Sequence, residues 1–275
     1  MAEYPGILVQ PDWLAAHLSD PGLRLVDAGA PQRYQQVHIA GATTLNPGQL
    51  NDPTNPVPGQ LLPPARFAQV MGGLGLGDEH HLVIYDDTIT PGAARVFWAL
   101  EYYGHEAVSV LDGGLGAWHS QGRPTAKQPQ RYPPATFTPR PRPERLATKA
   151  SILEGLKRSD FLCLDTRTRE EHTGQRQMAL RGGHIPKSIN SEWVNNLQQQ
   201  GQQGQVGFFK PLEQLRALYQ QAGLTPDKEI ASYCQAGVRA AHGYLALRIL
   251  GYQRVSNYAG SWNEWGNDPT SPIEE

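Results

Sequence analysis

Short apolar runs alternate along the chain with stretches of helical periodicity. Leu23–Val26, Leu82–Tyr85 and Val108–Leu111 are dominated by apolar residues, and Phe161–Leu164, Ile230–Tyr233 and Val255–Tyr258 repeat the pattern in the second half. Runs this short with no polar face predict strands buried on both sides. Between them Pro64–Leu74, Ala93–Tyr103, Leu212–Ala222 and Val238–Leu250 return apolar residues every three or four positions and predict helices. Gly104 and Gly251 follow two of these segments, where a helix ends most easily in a left-handed residue. Strand and helix in alternation imply an α/β fold, with mainly parallel strands joined by crossover helices that cover both faces of the sheet. The Gln-rich Gln198–Gln205 reads as a surface loop.

The two halves of the pattern are copies. Leu25-Val-Asp27 matches Leu162-Cys-Leu-Asp165, and His38-Ile-Ala-Gly-Ala42 matches His184-Ile-Pro-Lys-Ser188. Leu82-Val-Ile-Tyr-Asp86 matches Glu229-Ile-Ala-Ser-Tyr-Cys234, and Gly113-Gly-Leu-Gly-Ala-Trp118 matches Gly260-Ser-Trp-Asn-Glu-Trp265. Four blocks in one order imply a duplicated unit. A single ungapped spacing across the last two pairs would set Asp87 opposite Cys234. Pro124, Pro129, Pro133, Pro134, Pro139, Pro141 and Pro143 lie between the copies. Proline fixes φ and removes a backbone donor, so this stretch is expected to run extended. The expected division is 1–125, a linker over 126–146, and 147–275.

Composition narrows the chemistry. A net charge of −2 gives no general attraction for nucleic acid or acidic membranes. No window approaches 18 apolar residues, and the N-terminus has neither a basic start nor an apolar run, so no membrane span or signal segment is expected. Cys163 and Cys234 are the two cysteines, too few for a disulfide scaffold or a Cys-rich zinc site. A reducing, cytoplasmic setting follows, in which a cysteine is either catalytic or a small core residue. Cys163 falls within an apolar strand run and reads as core. His80-His81 reads as a solvated turn.

Cys234 stands apart. The run Ile230–Tyr233 ends at it, and about four residues later Val238, Ala241, Leu245 and Ile249 begin a helix at one-face spacing. In an open parallel sheet ligands bind beyond the C-terminal ends of the strands. The loop between strand and helix offers unpaired N–H groups, and the helix start adds its positive end. Such a place favours a thiolate. Gly237 allows close approach of the backbone to a bound sulfur, and Arg239 adds a fixed positive charge. No Gly-x4-Gly-Lys loop is present: Met71-Gly-Gly-Leu-Gly-Leu-Gly77 lacks the lysine and precedes a strand.

The segment Cys234-Gln-Ala-Gly-Val-Arg239 resembles the active-site loop of the rhodanese family, in which a cysteine and the next five residues form a semicircular cradle. Asp165-Thr-Arg167 with Gly183-His-Ile-Pro-Lys-Ser-Ile-Asn190 resembles one family signature, and Tyr258-Ala-Gly-Ser-Trp-Asn-Glu-Trp265 another. The resemblance covers nearly the whole chain and implies two tandem rhodanese-like domains, the second catalytic. It implies a sulfurtransferase with Cys234 as nucleophile and with Gln235, Ala236, Gly237, Val238, Arg239 and the nearby Trp193 as substrate-binding residues. The favoured donor would be thiosulfate, with 3-mercaptopyruvate as the alternative, and the acceptor cyanide or a thiol. No metal or organic cofactor is implied, and a duplicated chain can act as a monomer. A persulfide carrier for a partner protein is the other reading. Phosphatase-like relatives use Cys-x5-Arg loops, wider by one residue than the Cys-x4-Arg here.

Cationic loop residues accompany thiosulfate in this family, whereas this loop carries only Arg239. A substrate-binding arginine found in some members six residues after the position of Asp165 is Glu171 here, which leaves Arg239 as the expected anion-binding side chain. Asp165 and Arg167 are expected to form a structural pair near the site. His38 and His184, matched across the halves, are expected to pack, as are Trp262 and Trp265.

Overall fold

The computed structural model describes residues 6–87, 91–198 and 207–275. The Gln-rich segment expected as a loop lies, after Gln198, outside the described residues. The larger sheet of the first half is built from five strands, β1 (Leu8–Val9), β2 (Leu23–Asp27), β3 (Ala42–Thr44), β4 (His81–Tyr85) and β5 (Val108–Leu111), beside a separate antiparallel pair of His38–Ile39 with Thr125–Ala126. Five come from the second half: β6 (Leu146–Ala147), β7 (Phe161–Asp165), β8 (Ile189–Asn190), β9 (Glu229–Tyr233) and β10 (Val255–Tyr258). The first sheet runs β1-β5-β4-β2-β3 and the second β6-β10-β9-β7-β8, the same order, and every pairing in both is parallel. The central strands are buried along almost their full length, as the lack of a polar face in the sequence requires.

Helices flank the sheets. In chain order the first half holds α1 (Pro11–His17), α2 (Pro31–Gln36), α3 (Pro64–Gly73), α4 (Gly92–Tyr102) and α5 (Gly114–Ser120). The second holds α6 (Lys149–Gly155), α7 (Arg169–His172), α8 (Leu212–Gln221), α9 (Val238–Ile249) and α10 (Ser261–Trp265). The α9 helix departs from the one-sided pattern expected of it: Ala240 through Leu247 are all buried. Small residues permit this. A side chain at Gly243 would stand 2.7 Å from Thr166 Cγ2 and 3.0 Å from Ser232 Oγ, so the helix lies hard against the strand ends.

Two compact units are present. One comprises residues 1–50, 62–141 and 197–209; the other comprises 51–61, 142–196 and 210–275. Each unit therefore takes in a short arm from the opposite half of the sequence. One antiparallel bridge joins Asn51 with Leu61, and another joins Leu197 with Phe209. Among the described residues no helix is long and apolar enough to cross a membrane.

Strand register corrects one sequence expectation. Asp27 pairs with Tyr85, and Asp165 pairs with Tyr233. The backbone N–H of Leu115 donates to Asp86 O as that of Trp262 does to Cys234 O. Asp86, not Asp87, therefore takes the place of Cys234, and the first half carries one residue more between Asp86 and Leu115 than the second does between Cys234 and Trp262. The ungapped spacing holds only after that insertion. His80 and His81 are also buried rather than solvated; His81 lies in β4 with Nε2 2.9 Å from Ser109 Oγ.

Candidate active site

Cys234 leaves the end of β9 and is 1% exposed. Its sulfur accepts a hydrogen bond from the Gly237 N–H at 3.1 Å. The loop can bend back on its own thiol because Gly237, at the entry to α9, adopts φ +76, a conformation that disfavours a side chain. The positive end of α9 thus opens beside the sulfur.

A neighbouring loop fixes this geometry from outside. The Trp262 N–H donates to Cys234 O and the Asn263 N–H to Gln235 O, both at 3.0 Å. The Cys234 N–H donates to Ser261 Oγ at 3.1 Å, and that hydroxyl donates to Tyr258 O at 2.7 Å. Asn257 Nδ2 holds Gly237 O at 3.1 Å. The Gln235 side chain reaches Met178 O at 2.9 Å and also Asn263 Oδ1. The carbonyls of Cys234, Gln235 and Gly237 and the Cys234 amide are thereby tied down from outside the loop.

Arg239 does not stand free. Its Nη1 and Nη2 donate to the two oxygens of Glu171 at 2.7 and 2.9 Å. The Glu171 side chain is 4% exposed and that of Arg239 is 24% exposed. Glu171 is itself placed by a capping box at the start of α7: Thr168 Oγ1 accepts the Glu171 N–H, and Glu171 Oε2 accepts the Thr168 N–H at 3.1 Å. Burial works against both charges. The pair overcomes it, so Arg239 is held above its ordinary pKa by Glu171 and then by the Cys234 sulfur. Glu171, bonded to Arg239 and to the Thr168 amide, is held below its own. Glu192 is pushed up by burial and by the nearby Glu170 and Glu171 carboxylates, against the pull of Arg239.

Below the loop Asp165 is fully buried and densely bonded. It accepts from Arg167 Nη2 at 2.6 Å, the Tyr233 hydroxyl at 2.8 Å and His172 Nδ1 at 2.9 Å. Burial alone would raise its pKa, but His172 and Arg167 outweigh it and bring it to about 2. Arg167 also donates to Gly183 O at 2.9 Å and lies over the Trp262 ring at 4.4 Å. His184 stacks on His172, ring centres 3.7 Å apart, and His38 stacks on Tyr34 at 3.9 Å. Trp193 opens a single helical turn, Trp193–Asn196, and meets α9 with its ring edge-on to His242 at 5.2 Å. Cys163 is buried within β7, and burial raises its thiol pKa, which leaves it unsuited to nucleophilic work. Trp265 is sealed in the core, its indole N–H on Pro272 O at 2.8 Å.

Cys234, Gly237 and Arg239, expected together from the sequence, lie together in this loop, whereas Ser261 and the partnership of Arg239 with Glu171 were not expected. The second was visible as Thr168-x-x-Glu171, a capping-box spacing. Ser261 leaves no such mark.

A parallel sheet that delivers one cysteine into a strand-to-helix loop, its sulfur against a backbone N–H, defines the class as an α/β protein with a thiol at the end of a central strand. The chain belongs to the rhodanese-like domain family, whose pattern it matches twice, over residues 10–121 and 148–268. It is 35% identical over 272 residues to the thiosulfate sulfurtransferase of Azotobacter vinelandii, covering 98% of this chain and 97% of that one. It is 34% identical over 284 residues to the sulfur carrier protein TtuD of Thermus thermophilus, with the same coverage. Among solved structures, SseA of Escherichia coli, a 3-mercaptopyruvate sulfotransferase, superposes with a TM-score of 0.82 at 31% identity, over 94% of this chain and 99% of that one.

Proposed function

We propose that the chain is a thiosulfate sulfurtransferase that carries sulfur as a persulfide on Cys234. The observation that carries this reading is the Cys234 sulfur facing the Gly237 amide at 3.1 Å inside a Cys-x4-Arg loop. In this reading the thiolate attacks the outer sulfur of thiosulfate. A new S–S bond forms while the bond to the sulfonate sulfur breaks, and sulfite leaves with that electron pair. The transferred sulfur rests against the backbone of Gln235, Ala236, Gly237, Val238 and Arg239, with Trp193 beside the pocket. Cyanide or a thiolate then attacks the outer sulfur, and the Cys234 thiolate departs as the leaving group. One hard transfer becomes two easier ones. Asp165 and Arg167 act as the rigid footing of the loop rather than as reactants.

The proposal extends to the chain's organisation: a catalytic second domain over 147–275, a first domain over 1–125 with Asp86 where a nucleophile would stand, and 126–146 between them. Both cysteines are free, which suits a reducing cytoplasm, and the duplicated fold suits a monomer. The Thermus relative's name favours a second reading, in which the persulfide is handed to a protein thiol. The name given to SseA keeps 3-mercaptopyruvate as a second donor.

Intact mass after thiosulfate treatment tests the central step. A gain of about 32 Da, one sulfur atom, is expected, removed by cyanide and absent in Cys234→Ser. No gain in the unaltered protein would end the proposal. Turnover then divides the two readings: steady thiocyanate release supports the enzyme, and slow release with rapid transfer to a protein thiol supports the carrier.

A further inference from the structure

Only one side chain in the Cys234–Arg239 loop is charged, and it is spent. Gln235, Ala236, Gly237 and Val238 bring no charge, so the attraction of the loop's side chains for an anion rests on Arg239. Both terminal nitrogens of that guanidinium are committed to Glu171, at 2.7 and 2.9 Å, in the paired geometry that arginine and carboxylate favour. The Glu171 carboxylate is nearly buried, so solvent screens it little. Its position is set by α7 through the Thr168 capping box, not by Arg239 alone. Glu192 stands close enough to feel Arg239, Glu170 and Glu171 together. A small dianion approaching the thiol therefore meets a neutralised ion pair, with further carboxylates nearby, instead of an open cation.

We infer that Glu171 is a specificity-determining residue, which masks Arg239 and so weakens the site's grip on the thiosulfate dianion relative to donors of lower charge. The inference rests on the sulfur-transfer reading and refines its substrate range. Thiosulfate remains a donor in this reading, held less tightly than an open Arg239 would hold it, while donors that bring one negative charge or none to the loop are affected less.

Glu171→Gln isolates the charge. Glutamine retains an oxygen that can accept the Thr168 N–H, the acceptor a capping box needs, so α7 keeps its start. The thiosulfate KM is expected to fall about fivefold with kcat within about twofold, because the gain lies in binding rather than chemistry. The KM for 3-mercaptopyruvate is expected to fall by less. The thiosulfate KM of the variant should also climb more steeply with added salt, as an uncovered cation requires. Glu170→Gln removes an equal charge from the exposed neighbouring residue and is expected to give less than half the effect. A thiosulfate KM for Glu171→Gln within twofold of the unaltered protein, or equal effects from both variants, would overturn the inference while leaving sulfur transfer intact. Absence of any Cys234 persulfide with every donor would instead remove the reading beneath it.

Discussion

Ser261 sits at φ +49, a backbone state that costs an ordinary side chain energy, and it is fully buried. What holds it there is a pair of hydrogen bonds that require a hydroxyl: it accepts the Cys234 N–H and donates to Tyr258 O. The residue fixes the amide of the proposed nucleophile without touching its sulfur. Ser261→Ala would leave that buried N–H unpaired, at a cost of about 1–3 kcal/mol. Urea unfolding should show the loss, and persulfide formation at Cys234 should slow, since the loop would no longer be tied at its first residue. A stable variant with unaltered rates would show that the tether is unnecessary. At this scale the sequence was legible wherever chemistry is carried by residue type: a cysteine at a strand end, a glycine in the turn, an arginine closing it. It was not legible at Ser261, because a left-handed serine is dictated by its neighbours and not by local preference. Nor was it legible at Asp86, because an inserted residue shifts the register without altering composition.

The element that the sequence hid most completely is the arm Asn51–Leu61. Its residues, Asn-Asp-Pro-Thr-Asn-Pro-Val-Pro-Gly-Gln-Leu, read as turn formers with no apolar period, and nothing in them says what they pack against. In the structure the arm is internally braced: the Asp52 N–H donates to Gln60 O at 2.8 Å and the Val57 N–H to Asn55 Oδ1 at 2.9 Å. It belongs to the same unit as the Cys234 loop. Gly59 adopts φ +79, and a side chain there would come within 2.8 Å of Ala259 O and 3.0 Å of Ala236 O. The arm thus presses on the outer, carbonyl side of the loop whose amides face the thiol. Gly59→Ala is expected to cost about 1–2 kcal/mol from the backbone alone and, in addition, to slow sulfur transfer by displacing Ala236. Gly251→Ala supplies the comparison, since Gly251 has φ +87 but open space where a side chain would go. It should lose similar stability and keep its kinetics. Equal rates in both variants would mean that the arm merely covers the loop.

Across the whole molecule the duplication was readable because each copy needs the same apolar strands, and the shared strand order bears out two parallel α/β sheets. Helix burial was less readable: the all-round burial of α9 depends on how closely Gly243 lets it approach the sheet, which only packing reveals. The same dense burial gives each unit a histidine held neutral. Burial brings His242 to about 3, and burial with the nearby His105 brings His81 to about 4. In the unfolded chain each would titrate near ~6.5. Between about pH 6.5 and 4 the unfolded form therefore binds more protons than the folded one, so stability falls as pH drops through this window. The limiting slope is about 1.4 kcal/mol per pH unit for each such histidine. Asp165, at about 2 when folded, adds to the loss from about pH 5 downward, as its unfolded carboxyl takes up a proton. Urea midpoints measured from pH 7.5 to 4.5 should decline from near pH 6.5 downward, and the imidazole signals of His81 and His242 should stay neutral throughout in the folded protein. A flat stability profile across this range would mean that neither histidine is held neutral by its packing.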